Sequence, residues 1–111
     1  MSAVLRAAAL LLLSSGVSAA NDYPTAVRAD YVIGCMAANG QTRLVLEKCA
    51  CALDAIAERL PYARYEEAET ALRMQAAPTG ERGAIFRDPP ELRATIEALR
   101  EAQAEATLRC F

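Results

Sequence analysis

Histidine is missing from this chain altogether. With it goes the ordinary serine or cysteine triad, whose general base is an imidazole. A metal site would have to be assembled without the commonest nitrogen ligand. Lysine occurs once, at Lys48, and acidic residues outnumber basic ones by 14 to 12. Nucleic-acid binding needs a basic face, which this balance does not supply, so no nucleic-acid partner is expected. No apolar run reaches the roughly 20 residues of a membrane span. No Cys-x-x-Cys-His motif is present, which excludes covalent haem. Nowhere does the chain alternate apolar and polar residues as a half-buried strand would, and it holds no repeat or low-complexity tract.

What is present begins with a leader. Met1–Arg6 carries one positive charge, Ala7–Leu13 is apolar, and Val17-Ser18-Ala19-Ala20 supplies small residues at a cleavage site. A basic start, a short apolar core and a small-residue exit define a secretory signal. Residues 1–20 are therefore expected to be a cleaved signal peptide. Residues 21–111 are expected to form one domain in the periplasm or secreted, with no stable membrane anchor after cleavage. Taking Arg6 away from a chain of net charge −2 leaves −3 on that domain.

Period and punctuation predict four helices. The first spans about Pro24 to Ala38, with Tyr23, Val27, Tyr31 and Cys35 at i+4 spacing and Asn39-Gly40 as a stop. The second spans about Thr42 to Leu60, with Thr42 as N-cap and Leu46, Cys49, Leu53, Ile56 and Leu60 as its buried stripe. Pro61 interrupts. The third spans about Tyr62 to Ala76, burying Tyr65, Ala68, Leu72 and Ala76. Residues 77–87 form a long connection. Asp88-Pro89-Pro90-Glu91 then reads as a capping box for a fourth helix, which buries Leu92, Ile96, Leu99, Ala106 and Cys110. Glu105 and Arg109 are spaced for an attractive i,i+4 pair. The expected fold is all-α: a compact bundle of about four helices stapled by two disulfides.

Cys35, Cys49, Cys51 and Cys110 carry that last expectation. A small exported domain with limited core normally spends an even cysteine count on cross-links. Three pairings exist. Cys49 with Cys51 is set aside, because their side chains diverge by about 200° on one helix. Cys35, Cys49 and Cys110 fall on the apolar stripes of their helices, whereas Cys51 lies on a flank with Lys48, Ala55 and Glu58. An antiparallel hairpin of the first two helices then favours Cys35–Cys49 with Cys51–Cys110 over Cys35–Cys51 with Cys49–Cys110. Spacing alone leaves both open.

Candidate chemistry is sparse. Cys49-Ala50-Cys51 reads either as two staples or as a redox dithiol, and the second needs a depressed thiol pKa. Met36 and Met74 are soft donors of the kind that hold Cu(I), but on helices they serve equally as core filler. Glu66, Glu67 and Glu69 cluster near the start of the third helix, where anions complement its dipole. No catalytic residue, metal or cofactor is expected, and the chain is read as non-enzymatic. The long loop places Arg82, Ile85, Phe86 and Arg87 together, and Tyr62 and Tyr65 flank an arginine-rich bend. Arginine and tyrosine are enriched at protein interfaces, so these six residues are the candidate contacts with another periplasmic protein. Ile85 and Phe86 read equally as a lid folded back over the core, the commoner outcome for an apolar pair, and Tyr62 and Tyr65 as core edge.

Tyr31-Val32-Ile33-Gly34-Cys35, Gly40-Gln41-Thr42, Cys49-Ala50-Cys51, Leu60-Pro61-Tyr62 and the late Cys110 together form a pattern. It resembles small exported bacterial helical proteins with a C…CxC…C layout, mostly of unassigned activity. Close relatives in that group accompany pyrroloquinoline-quinone alcohol dehydrogenase systems. The shared motifs are structural, so the resemblance implies little about activity and no particular catalytic residue. In architecture alone the chain is similar to the HdeA-like acid chaperones, which have one disulfide, and to the Tai-like periplasmic immunity proteins. The leading expectation is thus a periplasmic accessory or binding protein. The alternatives are an acid-stress chaperone and a thiol redox or metal carrier using the CxC pair.

Overall fold

The computed structural model describes residues 22–76 and 90–111, and within them every regular element is a helix. The helices are α1 (Thr25–Asn39), α2 (Arg43–Arg59), α3 (Tyr62–Ala76) and α4 (Pro90–Cys110). The boundaries follow local chemistry. Gly40 sits at φ +122°, where a side chain would be strained, and its N–H closes the end of α1 on the Met36 carbonyl at 2.8 Å. Thr42 caps α2, its hydroxyl accepting from the Val45 N–H at 3.2 Å. Leu60 is extended, as a residue before proline must be, and Pro61 opens α3 by accepting from the N–H groups of Arg64 and Tyr65. The expected cap residue Asp88 and Pro89 lie outside the described residues; α4 starts at Pro90 with Glu91 in its first turn.

Packing centres on α2. It forms an antiparallel hairpin with α1, since Cys35 bonds Cys49 while Arg28 reaches Asp54 at 2.6 Å. It also runs antiparallel to α4: Cys51 bonds Cys110 at one end, and Leu60 and Ala98 line a common groove at the other. The first half of α4 lies against α3. Leu53, Ile56, Leu99 and Cys49 are the largest side chains wholly removed from solvent. Between them pack seven buried alanines: Ala52, Ala55, Ala57, Ala68, Ala71, Ala102 and Ala106. Residues this small let helix axes approach to the near end of the usual 8–10 Å spacing. Thr95, buried in α4, bonds its hydroxyl to the Glu91 carbonyl at 3.1 Å.

Both disulfides are closed, Cys35–Cys49 and Cys51–Cys110, with Cα–Cα distances of 5.9 and 5.8 Å. This is the pairing favoured by the helical register. It also marks a chain that matures in an oxidising, extracytoplasmic compartment. No described helix is long and apolar enough to cross a membrane.

Three expectations change. Ala76 is exposed, whereas Ala52, Ala55, Ala57, Ala71 and Ala102 are inside. Glu105 and Arg109 do not pair along α4: Glu105 takes Arg59, and Arg109 takes Glu58 at 2.8 Å, both across to α2. A facing helix a few ångströms away offers these long side chains a partner without bending back along their own turn. Finally, the first turn of α3 holds no acid, so Glu66, Glu67 and Glu69 lie beyond the reach of its dipole.

Candidate functional site

The sulfur frame itself is spent. Cys49 is wholly buried and goes to α1, while its neighbour Cys51 is exposed and goes to α4. The two sulfurs of the CxC pair therefore belong to different cross-links, and no described cysteine is free. Thiol chemistry at this pair would require opening one bridge to each half of the chain. Among the described residues, no three histidine, cysteine, aspartate or glutamate side chains converge closely enough to hold a metal ion.

A second feature comes from tyrosine. Tyr23 precedes α1 and is almost fully buried, its hydroxyl donating to the Leu60 carbonyl at 2.7 Å. Its ring meets Tyr62 edge-on at 5.3 Å and Tyr65 at 5.2 Å, and the latter two are stacked at 6.5 Å. This cluster pins the N-terminal end of the domain to the α2–α3 bend. It also builds one wall of a 330 Å³ groove between α1 and α3, lined by Val27 and Asp30 from α1 and by Tyr62, Tyr65, Glu66, Glu69 and Arg73 from α3. Tyr62, Glu66, Glu69 and Arg73 share a face because they follow one another at i+4, i+3 and i+4.

The electrostatics of the groove are acidic. Glu69 is tied to Arg73 at 3.8 Å, and the charge of Glu66 acts on the Tyr62 phenol. Burial pushes the phenol of Tyr65 well above its ordinary range, helped by the charge of Glu69 and opposed by Arg73. Burial and then Glu69 likewise raise Tyr31. Burial and then the charge of Glu66 raise Tyr62. These phenols stay neutral at any physiological pH and offer the groove a hydroxyl and a ring face.

Neither a family model, nor a curated protein, nor a solved structure matches this chain. The groove and the frame must speak for themselves.

Of the residues singled out from sequence, the four cysteines are all in the frame. Tyr62 is half-buried on the groove. Tyr65 is 7% exposed and belongs to the core, so only its edge at the groove is open to a partner. Arg82, Ile85, Phe86 and Arg87 lie outside the described residues. Sequence reasoning missed Asp30 and the groove-facing role of Glu66, Glu69 and Arg73. The helical spacing from Tyr62 to Arg73 was there to find, but nothing local announces that α1 sits opposite.

Proposed function

We propose that this protein is a non-enzymatic accessory or binding protein of the periplasm, acting by contact with another protein. The observation that supports this reading is α1. It is bridged to α2 by Cys35–Cys49 and held again by Arg28–Asp54, yet none of its residues is buried. Ile33 stands 67% exposed on it. A helix fixed so firmly, but used so little by the core, makes a rigid shelf whose contacts form without ordering cost. Leu44, Leu108 and Phe111 are further exposed apolar side chains near the bridged ends of the helices. Arg82, Ile85, Phe86 and Arg87 remain part of the proposed contact. The resemblance in the cysteine pattern makes an exported quinoprotein alcohol dehydrogenase the first partner to test.

The test is a photo-reactive residue at Ile33 in the producing cell, followed by mass spectrometry of the cross-linked product. One defined protein is expected, lost in Ile33→Asp and in Phe86→Ala/Arg87→Ala while both variants keep the wild-type melting temperature. A large fall in stability on the Phe86→Ala change would put that ring in the core. No cross-link from Ile33 refutes the reading.

One observation favours a second reading, the acid-stress chaperone. Three ion pairs that join different helices, Arg28–Asp54, Arg59–Glu105 and Arg109–Glu58, each depend on a carboxylate and lie at the surface. Protonation removes them together and leaves the arginines to repel. Dye binding to exposed apolar surface and suppression of client aggregation between about pH 2 and 4 test this; a domain that stays closed there excludes it.

A further inference from the structure

We infer that Asn39-Gly40 is a deamidation site held closed by the last turn of α1, and that opening of this turn alone releases it. Of the asparagines, Asn21 precedes aspartate and Asn39 precedes glycine. Glycine is the follower that leaves asparagine most prone to this change, because no Cβ hinders the approach of its nitrogen. The Gly40 nitrogen gives up its proton and bonds the carbonyl carbon of the Asn39 side chain. The bond from that carbon to the amide nitrogen breaks, and ammonia leaves. Water then opens the five-membered succinimide at either carbonyl, giving aspartate or isoaspartate. Asn39 is exposed to the water and hydroxide that these steps use.

Both reacting groups are engaged in the folded chain. The Gly40 N–H donates to the Met36 carbonyl at 2.8 Å, which turns the nucleophile along the helix and keeps its proton in place. The Asn39 side-chain amide donates to the Cys35 carbonyl at 2.9 Å and lies 3.8 Å from the Cys35 Sγ, so it is folded back over its own helix. Ring closure needs both bonds broken and Asn39 moved off helical dihedrals. Glycine is required at 40 by backbone conformation and not by space: φ is +122°, while the nearest atom to an added Cβ would be the Val45 Cγ2 at an ordinary 3.8 Å.

Both locks act on the turn from Cys35 to Gly40, and Cys35–Cys49 ties that turn to α2. No residue of α1 is buried, so the bridge carries much of its attachment at this end. The products do not close again as well. Aspartate at 39 loses the donor to the Cys35 carbonyl and sets a negative charge at the negative end of the helix dipole. Isoaspartate adds a backbone atom to the turn. The modification is thus a permanent record that this end of α1 has opened, as it would on reduction of Cys35–Cys49.

Peptide mapping by mass spectrometry at mildly alkaline pH, following the tryptic segment 29–43, tests this. Loss of ammonia at Asn39 should be about tenfold or more slower in the folded protein than in reduced, alkylated protein in urea, the protection of two hydrogen bonds. Cys35→Ala/Cys49→Ala should recover most of that difference, with exchange of the Gly40 amide rising in parallel. Cys51→Ala/Cys110→Ala removes a bridge on another face of α2 and should change the rate by less than about twofold. Both variants are compared at a temperature where circular dichroism shows them folded. The longer bridge restrains the unfolded chain more, so a reaction that waits for global unfolding would quicken more in Cys51→Ala/Cys110→Ala. That order, or equal acceleration in the two variants, overturns the local lock. Equal rates in folded and unfolded protein, or no acceleration in Cys35→Ala/Cys49→Ala, overturn it as well.

Discussion

Replacing Cys51 and Cys110 together by alanine should be the most damaging change that leaves the core volume nearly intact. Cys51 is exposed and Cys110 half-buried, so the substitution opens little cavity. The cost comes from the unfolded chain. A bridge between residues 59 apart removes about 4 kcal/mol of loop-closure freedom, whereas Cys35–Cys49, 14 apart, removes about 3 kcal/mol. Domains of this size are stable by about 5–15 kcal/mol in total, so the longer bridge is a large share of the margin. At roughly 4–8 °C per kcal/mol, its loss should lower the melting temperature by about 16–32 °C. Urea unfolding under non-reducing conditions measures it. Because the cross-link restrains the denatured ensemble, the denaturant slope should rise in Cys51→Ala/Cys110→Ala and change much less in Cys35→Ala/Cys49→Ala. A loss under about 1 kcal/mol with an unaltered slope would show that the bridge stabilises by something other than the constraint argued here.

Further expectations concern the tyrosines and the ion pairs. Tyr23→Phe removes the buried hydroxyl that donates to the Leu60 carbonyl and should cost about 1–2 kcal/mol in urea unfolding; no change would mean the carbonyl finds water instead. Burial raises the Tyr23 phenol from 10.0 to about 12, against the opposing charge of Arg28. Its contribution is complete below pH 10 and lost as pH rises through the folded value, so alkaline unfolding should coincide with phenolate absorbance between these limits. Simple stepwise ionisation near pH 10 without unfolding would contradict that. Glu58 is the opposite case: its hydrogen bond to Arg109, then that cation's charge, hold its carboxyl below the ordinary 4.5. Its stabilising effect is present above 4.5 and fades as pH falls through the lowered folded value, a trend that Glu58→Gln should flatten. A carboxyl-carbon titration midpoint at or above 4.5 would remove this account.

Much of the fold was legible from residues alone. Gly40, Thr42 and Pro61 punctuate the chain by backbone chemistry that needs no neighbour, and the Leu46–Leu60 stripe declares its face by spacing. The cysteine pairing was legible only as a preference: helical register ruled out Cys49–Cys51, and the structure chose between the two pairings that remained. Alanine hid its position: its small apolar side chain suits the inside and the outside of a helix alike, so only the approach of α4 and α3 decided that Ala52, Ala57, Ala71 and Ala102 are core. Charge pairing escaped for a related reason. Arg109 can reach Glu105 along its own helix, but α2 brings Glu58 closer, and sequence spacing carries no information about a facing element.

The groove is the extreme case. Tyr62, Glu66, Glu69 and Arg73 share a face by helical period, yet what makes them a site is Asp30, more than thirty positions earlier. Local order, helix ends and the oxidised frame are consequences of short-range chemistry and were written in the chain itself. Which surfaces meet across space, and so which acids, phenols and ring faces line one cavity, was decided only when α1 and α3 came to rest on opposite sides of it.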